Sequence, residues 1–343
     1  RNKTLAFRRR GPGFFIWDFK NFQEICYMFA LSKSKLKILF CWGLLNLIVF
    51  SGISVKAEEF PERLVDDFGE VVRIDKKPER IISLSPANTE ILFAIGAGDK
   101  VVGITSYCNY PPRVEKIDRI GGFTTPNIEA IVAKEPDLVI ASYGNGEENI
   151  KKLRELGITV LSLRARSLED VLKDILLVGK ATGYTSQAEE LAGNLKIRIE
   201  AVKKKAERIP DDKKPRILYL VWYPELWVAG KGTFADGLIK IAGGKNVASD
   251  LDGWKIMSKE AFIRKDPQII LCSGMGKNSF FLKEKICRDP DLKIVSALKD
   301  NQVFTIYSDI VERPGPRVVD GLEKISFYIQ NWWQNRKGKN GKN

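Results

Sequence analysis

Histidine, the usual general base and a frequent zinc ligand, is absent from the 343 residues. That removes Ser-His-Asp and Cys-His nucleophile arrangements and nearly all catalytic zinc sites, and it disfavours hydrolase chemistry. The glycine clusters give no phosphate grip either. Gly96-Ala-Gly98 meets Val101 where a dinucleotide fingerprint needs its third glycine, and Gly230-Lys-Gly-Thr233 has Glu225 where a P-loop needs glycine. Both clusters read as turns. Beyond residue 57 the cysteines are Cys108, Cys272 and Cys287, an odd number without C-x-x-C spacing, which implies no disulfide framework and no metal site. Cys272 ends the apolar run Gln268–Cys272 and reads as a small buried hydrophobe. A Cys272–Cys287 bridge is the alternative in an oxidising compartment. No catalytic residue, metal ligand or intrinsic cofactor is therefore assigned.

Aromatic residues remain as the chemically informative set. Tyr107, Tyr110, Phe123, Trp222, Tyr223, Trp227 and Trp254 fall where apolar strand-like runs end. In open α/β sheets ligands bind beyond the carboxyl ends of the strands. A single aromatic more often fills its own core. Against that, Trp254 lies in the polar, turn-like stretch Asp250–Lys255, and Trp222–Trp227 is too irregular for a buried strand. The set fits a broad planar ligand held between aromatic walls, by a binding protein and not an enzyme.

The elements that must position these residues follow from hydrophobic periodicity. From Arg80 onward, short β-rich runs (80–85, 101–105, 137–141, 216–221) alternate with helical stretches, the pattern of an α/β protein with mostly parallel sheets. Residues 186–209 form one long amphipathic, charge-laced stretch, closed by the Pro210–Pro215 turn. Ile128–Ser142 matches Lys259–Ser273 at a constant offset, Glu129 with Glu260, Lys134 with Lys265 and Pro136 with Pro267. Each copy is a helix, an acidic-Pro break and a buried strand. The chain thus predicts two Rossmann-like lobes of related build, residues 58–185 and 210–330, joined by the single helix 186–209, with a basic disordered tail at 331–343.

The formal net charge is +13. Residues 1–57 hold ten of the 56 bases and two of the 43 acids, which leaves 46 bases against 41 acids, a net +5, in the rest. The charge thus gives no case for nucleic acid. Lys33, Lys35 and Lys37, the uncharged run Ile38–Ser54 and Val55-Lys-Ala57 have the order of a leader and signal peptide cleaved after Ala57, with an uncleaved membrane anchor as the alternative. Cys41 follows Phe40 inside the apolar run, so no lipid anchor is expected.

The run Arg80-Ile-Ile-Ser-Leu-Ser-Pro-Ala-Asn-Thr-Glu-Ile-Leu-Phe-Ala-Ile-Gly96, the segment Val102–Pro112, Asn127–Ile131, Lys134–Val139 and Phe304–Arg317 resemble the cobalamin-binding periplasmic proteins of bacterial ABC importers, within the wider group that binds ferric siderophores and haem. The resemblance spans about residues 60–330. It implies a periplasmic receptor of two lobes on one rigid helix, with cobalamin in the cleft. Tyr107, Phe123, Trp227, Trp254, Asp309 and Arg313 would contact the ligand, and Glu129 and Glu260 would meet arginines on a homodimeric membrane permease served by cytoplasmic ATPases. Each glutamate also begins a helix, where an acid suits the dipole, so helix capping is the competing role. A ferric-siderophore receptor would want several cations in the cleft, and only Arg313 and Arg317 are placed there. Haem would need a tyrosine in place of an axial histidine. A tetrapyrrole- or metal-handling enzyme would need Cys, His or carboxylates converging in the cleft.

Overall fold

The structure is a computed structural model describing residues 60–274 and 278–340. The signal-peptide region 1–57 lies outside the described residues. A short antiparallel hairpin, β1 (Glu62–Val65) and β2 (Val71–Ile74), precedes a four-stranded parallel sheet of β3 (Ile81–Ser83), β4 (Val101–Ile104), β5 (Leu138–Ser142) and β6 (Val160–Leu163), in the order β4-β3-β5-β6. The helices of this lobe are α1 (Pro86–Ala94), α2 (Ile128–Val132), α3 (Glu147–Glu155) and α4 (Leu168–Thr182). Helix α5 (Thr185–Ala206) then leads to the second sheet. That sheet runs β10-β8-β7-β11-β12, built from β7 (Arg216–Trp222), β8 (Leu226–Ala229), β9 (Lys245–Asn246), β10 (Trp254–Met257), β11 (Ile269–Gly274) and β12 (Val303–Tyr307), with β9 beside β7. Its helices are α6 (Phe234–Ile241), α7 (Lys259–Lys265), α8 (Asn278–Arg288), α9 (Ser296–Lys299) and α10 (Val318–Asn340).

Strand alternation divides the apolar residues into three clusters. Ile81, Leu138 and Ile140 face one way, while Ile82, Val139 and Ala141 face the other. Ile217, Tyr219, Ile269 and Leu271 join the first cluster, and Leu218, Leu220, Ile270 and Cys272 form a separate one. One face of each sheet thus contributes to a single core running through α5, whose buried residues Ala188, Ala192, Leu195, Ile199, Val202 and Ala206 repeat every three or four positions. Gly179 of α4 permits this contact, since a Cβ there would stand 2.3 Å from that of Ala188. Arg198 fastens the other side of α5, reaching Asp320 at 2.6 Å and Glu323 at 2.6 and 2.9 Å on α10. The lobes are therefore joined by packed apolar surface and not by a flexible tether.

The internal repeat is visible in backbone detail. Glu135 and Asp266 both adopt left-handed φ, 45° and 43°, one residue before Pro136 and Pro267. Arg80 caps the first break by donating to the Lys134 carbonyl, and Arg216 caps the second through the Asp266 carbonyl.

Two sequence expectations differ from the structure. Residues 331–340, expected as disordered tail, continue α10, because Trp332 is buried and Arg336 covers its ring at 4.6 Å while facing Asp300 at 3.6 Å. Trp222, Trp227 and Trp254 lie in strands and not in loops, because the parallel sheet is extended by an antiparallel unit, β7-β8-β10, that polar edge residues such as Lys255 concealed. Among the described residues no helix is long and apolar enough to cross a membrane.

Candidate ligand-binding cleft

Two cavities open at the carboxyl ends of the two sheets. The larger, about 820 Å³, is walled by Trp222, Trp227 and Trp254, with Gly274 and Ser308 from the ends of β11 and β12. The smaller, about 360 Å³, is bounded by Ser85, Asn88, Tyr107, Phe123, Ser142 and Arg313. Glu312 lines both.

Strand register explains the tryptophan wall. Trp222 pairs with Trp227, Trp227 with Ile256, and Trp254 stands two residues from Ile256, so all three indoles share one face. A register shift between Leu220 and Trp222 turns Trp222 onto that face, the re-aiming typical of a bulge. Trp222, Trp227 and Trp254 are 54%, 38% and 37% exposed and Tyr107 is 59% exposed, which rules out a core-filling role. Trp254 leans on the buried Tyr219 with ring centroids 6.1 Å apart. Phe123 packs against Gly144, where a Cβ would come within 2.4 Å of the ring.

Glu312 is held by two donors on one oxygen: the Tyr219 hydroxyl at 2.9 Å and the Ser273 hydroxyl at 3.2 Å, both to Oε1. Burial raises its carboxyl above the ordinary range despite those bonds. Nearby, an ionic network ties the lobes together. Arg317 makes a two-pronged pair with the buried Glu90 of α1, at 2.6 and 2.9 Å, and lies over the Tyr110 ring at 4.0 Å. Arg313 donates to the Asn109 side chain at 2.6 Å and faces Asp309 at 2.9 Å, and Asn109 donates to Asp309 at 3.0 Å. Burial also raises the Glu90 carboxyl, although Arg317 and Arg313 oppose the shift. In the smaller cavity Asp174, 3% exposed, is pushed up to about 8 by burial and then by Asp67.

Of the sequence-derived ligand candidates, Trp227 and Trp254 meet in the larger cavity, and Tyr107, Phe123 and Arg313 in the smaller. Asp309 lines neither and serves to hold Arg313 and Asn109. Glu129 and Glu260 are exposed at the second residue of α2 and α7. The caps of those helices are other residues: the Asn127 side chain accepts from Ala130 N–H and the Ser258 hydroxyl from Ala261 N–H. Glu260 is held below the usual carboxylate range by its own backbone N–H and then by the Ser258 hydroxyl. Sequence reasoning placed Trp222 in the aromatic set that would wall the ligand, and did not select Glu312 or Glu90 as site residues. For Glu312 the signal was available, since it follows the end of β12 as the aromatics follow other strands. Cys108, Cys272 and Cys287 are free thiols, and among the described residues no three Cys, Asp or Glu side chains converge as a metal site.

Two α/β lobes on one helix, with an aromatic cleft at the carboxyl ends of both sheets, make this a two-lobed solute-binding protein. Residues 81–310 match the periplasmic binding protein family, and the chain belongs to that family. It is therefore a binding protein and not an enzyme. The chain is 34% identical over 279 residues to the ABC transporter substrate-binding lipoprotein YvrC of Bacillus subtilis, covering 80% of this chain and 87% of the relative. Among solved structures, the periplasmic haem-binding protein RhuT of Roseiflexus sp. RS-1 superposes with a TM-score of 0.66 at 28% identity, covering 74% of this chain and 98% of that one. The periplasmic vitamin B12-binding protein BtuF of Vibrio cholerae gives 0.66 at 26% identity, covering 75% and 98%.

Proposed function

We propose that the protein is the substrate-binding component of an ABC import system, acting outside the cytoplasm and taking a cobalamin-type corrinoid into the cleft. The observation that carries this is the joined pair of cavities, one walled by three co-facial tryptophans and the other by Tyr107 and Phe123 together with the polar side chains of Ser85, Asn88, Ser142 and Arg313, meeting at Glu312. A corrinoid presents a broad apolar ring system and an amide-bearing periphery. The indoles suit the first, and the Ser85, Asn88, Ser142 and Glu312 side chains suit the second. The ligand brings its own coordinated cobalt, so the receptor needs no metal ligands. Tyr107, Phe123, Trp227, Trp254 and Arg313 would touch it, with Asp309 bracing Arg313. The vitamin B12-binding relative from Vibrio cholerae supports this choice.

Glu129 and Glu260, exposed at matched positions of the repeat, would dock the two lobes onto a homodimeric permease driven by cytoplasmic ATPases. A haem reading is favoured by one feature, the exposed Tyr107 in the smaller cavity, which offers a phenolate ligand. The two readings separate when purified protein is exposed to cobalamin, haemin and a ferric chelate, desalted, and examined by visible absorption. Retention of the cobalamin bands alone is expected. Retention of haemin or the chelate in its place would overturn the corrinoid assignment.

A further inference from the structure

The larger cavity has a further wall, which comes from α8. Leu282 and Ile286 of this helix are buried in the cluster that holds Leu218, Leu220 and Cys272 of β7 and β11, and Phe281 and Lys285 occupy the neighbouring stripe, four residues apart and therefore on one face. That stripe borders the cavity, since both residues line it, Phe281 being 61% exposed and Lys285 exposed beside it. The indoles of β7, β8 and β10 thus share the cavity with one aromatic ring and one ammonium group from α8.

Lys285 and Glu312 are the charged side chains among the described residues lining this cavity. Glu312 has its Oε1 engaged by Tyr219 and Ser273. Lys285 has no ion-pair or hydrogen-bond partner among the described residues. Two nearby cations are matched: Arg288 faces Glu284 at 2.5 Å, and Lys259 faces Asp289 at 2.7 Å, the carboxylate that also accepts from the Tyr223 hydroxyl. Arg313 and Arg317, the cations expected in the cleft, are spent on Asn109, Asp309 and Glu90. Among the described cations lining the two cavities, Lys285 is the one left to meet a ligand.

We propose that Lys285 receives a singly charged phosphodiester on the ligand's periphery, and so sets a preference for corrinoids that carry this group over those that lack it, an assignment that rests on the corrinoid reading above. The substituents of cobalamin are neutral amides apart from one phosphodiester, which joins the ring to its nucleotide base. A single ammonium group matches that single charge, as a point charge with three donors. Aromatic walls that exclude water strengthen the attraction. The two carboxylates of haem, or the several charges of a ferric chelate, would be left largely uncompensated in a cavity that also holds Glu312.

The test uses the full chain in calorimetry with cobalamin and with cobinamide, a corrinoid that lacks the phosphodiester and its base. Lys285→Met should lower cobalamin affinity about tenfold, the loss of one charge-assisted hydrogen bond, and should leave cobinamide affinity and the melting temperature unchanged, because the side chain is exposed. Lys285→Arg keeps the charge and should retain most of the parent's preference for cobalamin over cobinamide. Added salt should reduce that preference in the parent and not in the methionine variant. Unchanged cobalamin affinity in Lys285→Met, or an equal loss for both corrinoids, would overturn the proposal and leave the corrinoid reading intact. A parent that binds neither corrinoid would remove that reading, and the role of Lys285 with it.

Discussion

Replacing Arg317 by methionine tests whether the ionic strut between the lobes is as strongly coupled as its burial suggests. Glu90 is 3% exposed and receives both its short bonds from Arg317, with Arg313 the next cation at 3.8 Å. Removing one partner of a buried pair leaves an uncompensated charge and costs about 3–5 kcal/mol, whereas replacing both by apolar groups is often nearly neutral. Arg317→Met should therefore destabilise by an amount near the lower end of that range, since Arg313 offers partial compensation. Glu90→Met/Arg317→Met should recover most of the loss. The pH dependence has a definite sign. Burial without Arg317 raises the folded-state pKa of Glu90 further above its unfolded value, so the folded variant holds the proton more tightly. The stability from that retained proton is complete below the unfolded pKa and is lost as pH rises through the folded one. The penalty of the single variant should thus be smaller at pH 5 than at pH 7.5. Urea unfolding of parent, both single variants and the double variant at the two pH values gives the cycle. A loss below about 1 kcal/mol for Arg317→Met, or a double variant no more stable than the single, would refute the coupling.

Trp254→Ala should lose about 2 kcal/mol of ligand affinity, roughly 30-fold, with little change in fold because the indole is partly exposed; calorimetry giving unchanged affinity would remove Trp254 from the contact surface. Glu129→Ala and Glu260→Ala should leave ligand affinity and melting temperature nearly unchanged, since Asn127 and Ser258 retain the caps, while uptake through the cognate importer falls; normal uptake by a stable double variant would eliminate the docking role. Asp174, with its folded pKa raised to about 8, contributes stability that is lost as pH rises from about 4 through that value. Asp174→Asn should flatten this part of the stability profile between pH 5 and pH 9, and an unaltered slope in the denaturation curves would show that the side chain is not buried as a neutral acid.

The alternation of β-rich runs with helical stretches, the long helix and the repeated helix-Pro-strand unit were legible from residue order alone. Each depends on local periodicity or on a single backbone constraint, such as the proline after Glu135 and Asp266. The ring types of the cleft were legible too, because aromatics at strand ends follow a rule of sheet topology. What residue order could not supply was which of them share a surface. Three indoles become co-facial only through the pairing of β8 with β7 and β10 and the register shift at Trp222, and pairing between distant strands leaves little trace in a local pattern. Glu90 and Arg317 stand 227 positions apart and look like surface charges until two lobes bury them against each other. Trp332 likewise marks a basic tail in the sequence and a helix in the structure, because the core that covers it is built from both lobes and α5. Residue order determined the elements and the chemistry available to them, and tertiary burial decided which charges pair, which rings meet and where the cleft lies.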